Sequence, residues 1–189
     1  SGGKTMVNTE PNPWSTGAAH VPVAHNRSEI VRPQLTTFGD RAVSMFRIEG
    51  GKHHGAIGEA GGDAAERAVR LGIELGVPVV AILDTSGAEI GEGVSALDAW
   101  GRLAKAFADA SGIVPTIVAV VGPCVSGPAL LLGMVDFVIM TEGSFAYVSD
   151  PASVQEFTGV KIDRTGLGSA AIHDKQTGVA SMVVADYDE

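Results

Sequence analysis

An α/β domain built on a mostly parallel sheet is the fold class that the sequence predicts, and three observations predict it. Short apolar runs recur at residues 42–48, 79–83, 116–121 and 137–140. Segments whose apolar residues return at helical spacing lie between them, and glycine-rich stretches punctuate the junctions. Strands separated by helices need crossover connections, which suit parallel pairing and run right-handed. Ligands of such sheets bind at the loops that follow the strand C-termini, so function is expected there.

Ser1 to about Phe38 carries Pro11, Pro13, Pro22 and Pro33 with few clustered hydrophobes. It reads as an arm or linker lying on another surface, which places the domain at residues 39–189. Residues 42–48 alternate loosely and predict a strand ending at Glu49-Gly50-Gly51. A glycine-spaced loop over 55–62 follows. Asp63 with Glu66 predicts a helix start, and Ala64, Ala68, Leu71 and Leu75 supply one face until Gly76 and Pro78 end it. Val79 to Leu83 is continuously apolar, as in a strand buried on both faces, and opens into the loop 84–93.

Ser95 with Asp98 marks the next helix. Its buried stripe is Leu97, Trp100, Leu103, Ala104, Phe107 and Ala110, up to Gly112. A second buried strand, Thr116 to Val121, runs into the loop Gly122-Pro-Cys-Val-Ser-Gly-Pro128. A small-residue helix from Ala129 and a third strand, Phe137 to Met140, complete the repeat of strand, glycine loop and helix. An extended stretch at Phe145 to Val148, a candidate helix at Pro151 to Phe157 and a glycine-spaced tail finish the chain.

Bulk composition narrows the function. With 189 residues, 45% hydrophobic and 19% charged, the chain can build one real core. A net charge of −9 argues against a nucleic-acid groove or an anionic membrane surface, since either would be repelled over most of the protein. Small molecules and other proteins remain as partners. Cys124 is the only cysteine, which excludes an intrachain disulfide and a four-cysteine zinc site and suits a cytoplasmic location. No apolar run reaches the length of a membrane span, and the polar opening residues do not resemble a signal peptide.

Two strand-end loops of one sheet can aim backbone N–H groups at a common point. Two such donors are what a thioester carbonyl needs as it becomes an enolate or a tetrahedral oxyanion. Glycine and alanine let the carbonyl approach the backbone, and a helix starting at residues 127–129 would add its positive end. Glycines after strands also make simple tight turns, so the spacing alone leaves both readings open.

From about residue 43 onward the chain resembles the N-terminal half of the β subunit of propionyl-CoA and acetyl-CoA carboxylases, within the crotonase superfamily. The resemblance rests on Ala110-Ser-Gly-Ile-Val-Pro115, Gly122-Pro-Cys124, Asp136-Phe-Val-Ile-Met140, Thr158-Gly159, and His173 with Thr177-Gly-Val-Ala180. It implies a crotonase-like superhelix of repeated ββα units that binds acyl-CoA as substrate. It also implies oxyanion donors at Gly87 and Ala88 and at Ser126 and Gly127. Gly55, Ala56 and Ile57, with Glu89 and Ile90, would line the CoA site. No side-chain base is called for, because the ureido group of biotin takes the α-proton. Biotin would arrive on a partner carrier protein, with a separate biotin-binding half completing a homo- or hetero-oligomer.

The chain departs from that family at three points. Ser126-Gly127 stands where two glycines are usual, and Pro128, which has no N–H, follows at once. Glu89 stands where arginine is common. The resemblance stops before the biotin-binding half. Two alternatives follow from these departures: a stand-alone crotonase-like decarboxylase or lyase acting on malonyl-type thioesters, and a non-catalytic CoA-binding or scaffold subunit.

Other residues invite chemical readings. His53-His54 has no third ligand positioned by sequence and reads as a surface loop rather than a metal site. His173 is expected to support the fold, Cys124 to be inert packing, and Trp100 with Phe107 to be core. Glu59, Glu89 and Glu92 are the carboxylates closest to the loops, and Glu89 is the candidate acid or base among them.

Overall fold

In the computed structural model, the described residues are 21–22, 31–48, 50 and 52–186. Strand β1 (Val21–Pro22) is short, and β2 (Val31–Phe38) pairs antiparallel with β3 (Arg41–Ile48) along its whole length. The expected linker up to Phe38 is therefore corrected for residues 31–38, which are a sheet strand. Its signal was the two-residue hairpin Gly39-Asp40, with Gly39 at φ 61°, in the left-handed region that such turns demand. The rest of the expected arm, apart from Val21 and Pro22, lies outside the described residues.

From β3 onward the pairing is parallel. β4 (Val79–Thr85), β5 (Thr116–Val125), β6 (Phe137–Thr141) and β8 (Met182–Val184) follow in the order β3-β4-β5-β6-β8. β7 (Phe145–Tyr147) pairs with the far end of β5. The expected mostly parallel α/β sheet is thus observed. Strand β5 is longer than predicted: Gly122 to Val125, read as loop, is extended strand that leaves β6 and takes up β7. A register shift in β4 between Leu83 and Thr85 brings Thr85 opposite Cys124.

Helix α1 (Glu59–Leu75) starts four residues before the predicted Asp63 and ends as predicted, at Gly76 with φ 64°. Its buried face is Gly61, Gly62, Ala64, Ala65, Ala68, Val69 and Gly72, so Leu75, expected inside, is 51% exposed. The reason is closeness of packing. A Cβ on Gly62 would sit 2.5 Å from the Cβ of Ala99 on α2 (Val94–Ala110), and one on Gly72 would sit 2.4 Å from Val79. Backbones this close exclude leucine, and the apolar stripe shifts to the small residues. Leu97 is likewise exposed, while Ala96, Ala99, Trp100, Leu103, Ala106, Phe107 and Ala110 are buried.

The core joins both helices to the sheet. Phe46 and Phe107 meet with ring centroids 6.2 Å apart, among the fully buried Ile48, Leu83, Leu103, Val118 and Met140. Burying each such side chain contributes about 1.5–3 kcal/mol. Helix α3 (Gly127–Leu131) begins two residues earlier than predicted, with Pro128 in its first turn. The C-terminal third adds α4 (Pro151–Thr158), α5 (Arg164–Gly168) and α6 (Ala170–Ile172) before a wide turn at His173–Thr177 leads to β8.

Candidate functional site

Loops following adjacent parallel strands must lie side by side, and here three of them do. The segment after β3 meets the segment after β4 through a parallel bridge between Ile57 and Ala88. The Ile57 N–H donates to the Gly87 carbonyl and the Glu89 N–H to the Ile57 carbonyl, each at 2.9 Å. The β4 loop in turn touches the end of β5: a Cβ on Gly87 would lie 3.2 Å from both Ser126 Cβ and the Val125 carbonyl oxygen. All of the predicted site residues therefore converge on one end of the sheet.

Hydrogen bonds divide the four predicted donors into two kinds. The Gly87 N–H donates to the hydroxyl of the buried Thr85 at 3.1 Å, and the Ser126 N–H donates to the Tyr147 carbonyl at 3.0 Å. The N–H groups of Ala88 and Gly127 have no acceptor among the described residues. In a parallel bridge the bonds to Ile57 use Gly87 and Glu89, so the Ala88 N–H points to the opposite edge, where the β5 loop lies. Gly127 opens α3, where N–H groups lack intrahelical acceptors.

Glycine is required where the loops close on one another. Gly55 has φ 73°, and a Cβ there would lie 2.3 Å from the Asp84 carbonyl oxygen. The Gly55 carbonyl accepts the Thr85 hydroxyl at 2.6 Å. Ala56 and Ile57 are buried, so Ile57 reaches the site through its backbone alone, whereas Ile90 is 92% exposed. Ser126 holds φ 63° and ψ −131°, a conformation costly for any residue with a side chain, at an exposed turn from strand to helix. Trp100 forms the floor beneath Gly127, with ring atoms 3.5 Å from where a Cβ would stand, and its buried Nε1 has no partner among the described residues.

Two carboxylates of the β4 loop reach back across the bridge. Glu92 accepts the Glu59 N–H at 2.7 Å and caps α1 in place of the side chain that Gly58 lacks. Glu89 accepts the Gly91 N–H at 3.1 Å and pairs with Nδ1 of His53. The His53 pairing, followed by the Gly91 bond, holds the Glu89 carboxyl below the usual carboxylate range. Sequence reading took His53 for part of a surface loop and passed over Thr85. The signal for both lay in strand order, since the loop after β3 had to fall against the loop after β4.

The remaining residues behave structurally. Both ring nitrogens of His173 are engaged, Nε2 with the Ala146 carbonyl at 2.8 Å and Nδ1 with the Thr177 hydroxyl at 2.9 Å. Cys124 is fully buried, and burial pushes its thiol up to about 12. A hollow of about 440 Å³ at the start of α1 is lined by Glu59, Ala60, Asp63, Glu92 and Ser95. Its three carboxylates, from Glu59, Asp63 and Glu92, give it a negative lining that would oppose the phosphates of CoA.

Residues 36–189 match the family model described as the carboxyl transferase domain. The chain belongs to the carboxyl transferase domain family. It is 32% identical over 145 residues to the methylmalonyl-CoA decarboxylase subunit alpha of Veillonella parvula, covering 76% of this chain and 28% of that protein. It is 33% identical over 175 residues to the biotin-dependent acetyl-/propionyl-coenzyme A carboxylase beta6 subunit of Mycobacterium tuberculosis (strain ATCC 25618 / H37Rv), covering 93% and 37% respectively. The chain thus spans about a third of the length of these carboxyl transferase relatives. The fold matches a transcarboxylase 12S crystal structure with hydrolyzed methylmalonyl-coenzyme A bound, at a TM-score of 0.81 and 24% identity, over 92% of this chain and 36% of that one. Among the described residues no helix is long and apolar enough to cross a membrane.

Proposed function

We propose that this chain is the acyl-CoA module of a biotin-dependent acyl-CoA carboxyltransferase, and that it holds the thioester carbonyl between the N–H groups of Ala88 and Gly127. What carries the reading is the pair of N–H groups without acceptors on touching loops of a carboxyl transferase domain. Developing negative charge on the carbonyl oxygen meets two donors already in place, and no reorganisation is needed as the enolate forms. Gly87 and Ser126 act indirectly here: their N–H bonds to Thr85 and Tyr147 fix the loops that present the neighbouring donors. Gly55, Ala56 and Ile57 brace the CoA side, and Glu89 and Ile90 flank it. Biotin, brought by a carrier protein, supplies the activated carboxyl group. Its approach would be from the exposed Ser126 side, with a biotin-binding half and an oligomer completing the enzyme in the cytoplasm.

A decarboxylating variant uses the same pair of donors, because loss of CO2 from a malonyl-type thioester leaves the same enolate. The Veillonella relative favours keeping it in view. Titration calorimetry with propionyl-CoA and methylmalonyl-CoA tests the shared step. Binding is expected for the wild-type chain. In the assembled enzyme, Gly127→Pro, which deletes one donor, is expected to slow turnover about 100- to 1000-fold, while Gly127→Ala keeps the N–H and the ordinary contact with Trp100. Wild-type turnover in Gly127→Pro would remove this loop from the mechanism.

A further inference from the structure

We infer that the hydroxyl of Ser126 is a nucleophile toward the bound thioester, giving this chain a slow acyl-CoA hydrolase activity that runs through an acyl-serine. The inference rests on the thioester reading above, because it uses the same two open N–H groups, and it leaves the α-proton to biotin. Ser126 joins β5 to α3 at φ 63° and ψ −131°. Glycine would hold that backbone without steric cost, so strain borne by a serine points to a use for its hydroxyl. A strained serine on a sharp turn from strand to helix is how α/β-hydrolases expose their nucleophile. Their oxyanion hole is the N–H of the next residue together with an N–H from a neighbouring loop. Ser126, the N–H of Gly127 and the N–H of Ala88 are the same three parts.

The side chain supplies an independent observation. A serine that precedes a helix ordinarily accepts one of that helix's first N–H groups. Ser126 makes no such bond, and its hydroxyl has no partner among the described residues. It is turned instead toward the β4 loop, where a Cβ on Gly87 would lie 3.2 Å from Ser126 Cβ and 3.8 Å from its Oγ. Gly87 directly precedes Ala88, and Ser126 directly precedes Gly127, so the hydroxyl stands beside both segments that supply the donors.

The steps balance with water alone. Ser126 Oγ forms a bond to the thioester carbon and gives up its proton to solvent, while the carbonyl electron pair moves onto the oxygen between the N–H groups of Ala88 and Gly127. The C–S bond then breaks, and CoA leaves as a thiolate that takes a proton from solvent. Water attacks the resulting ester in the same hole, the C–Oγ bond breaks, and a carboxylic acid departs as Ser126 regains its proton. No side-chain base is hydrogen-bonded to Ser126 among the described residues, which keeps the turnover slow.

Propionyl-CoA incubated with the full chain, without biotin, tests this. Released thiol is followed with a chromogenic disulfide, to which the buried Cys124 stays silent, and acylated peptides are located by mass spectrometry after an acid quench. The wild type is expected to release CoA above the no-protein rate and to carry a propionyl group on Ser126. Ser126→Gly, which relaxes the backbone and removes the hydroxyl, is expected to lose the adduct and most of the thiol release while still binding propionyl-CoA by calorimetry. Ser126→Cys, with a stronger nucleophile, is expected to accumulate the adduct faster, read by mass. A wild type that binds propionyl-CoA but neither releases thiol above the no-protein rate nor carries the adduct overturns this proposal and leaves the thioester reading standing, whereas absence of binding overturns both. Thiol release undiminished in Ser126→Gly, or no adduct in Ser126→Cys, also overturns it.

Discussion

Cys124 lies on β5 two residues before the strained Ser126, yet burial separates the two chemically. Its thiol is raised to about 12 by desolvation, against about 8.5 in an unfolded chain, so folding keeps it protonated. Its contribution to stability is complete below about pH 8.5 and is lost as pH rises toward 12, because the unfolded chain releases the proton first. Iodoacetamide should therefore leave the native protein unmodified at pH 7.5 and alkylate it in urea, with mass spectrometry as the measure; fast alkylation of the native chain would contradict the assignment. That Cys124 is packing was legible in the sequence, as was the gathering of Gly87, Ala88, Ser126 and Gly127. Which of those N–H groups stay open was not, because Thr85 and Tyr147 become acceptors only once a turn and a neighbouring strand form.

At the scale of elements, the pair α1 and α2 shows where sequence patterns mislead. Leucines at 71, 75 and 97 advertise a helix face, but the approach of Gly62 to Ala99 turns that face toward glycine and alanine. Gly62→Ala should force the helices apart and lower stability by about 1–3 kcal/mol. Gly101→Ala on α2 meets nothing within 4 Å and should gain up to about 1 kcal/mol in helix propensity. Urea unfolding midpoints of the two variants check the contrast, and equal shifts would refute the close contact. Strand positions were read well because continuous apolar runs such as Val79 to Leu83 announce burial on both sides. The end of β5 was hidden by Gly122 and Pro123, which look like a turn yet lie in an extended strand, where a Cβ on Gly122 would come within 2.7 Å of the Asp84 carboxyl.

Over the whole molecule, β4 and β5 form the centre of the sheet, with strands on both sides and buried positions along each. β8 contributes only Met182 to Val184, with Met182 48% exposed. Native-state hydrogen exchange should therefore be slowest in β4 and β5 and faster in β8, and protection of β8 equal to that of β5 would show that the sheet opens only as one unit. The mostly parallel architecture could be read from the alternation of runs and periodic segments. Residues 31–38 escaped because prolines outweighed a strand whose hairpin rests on Gly39. The open N–H groups of Ala88 and Gly127 carry a last consequence, for heredity. A peptide N–H is written into the chain whatever side chain a codon specifies, proline apart. An alanine scan would skip Ala88 altogether, and a codon change at either position would leave its donor in place. Such a site is inherited as a path of the backbone, and it is lost when the path bends.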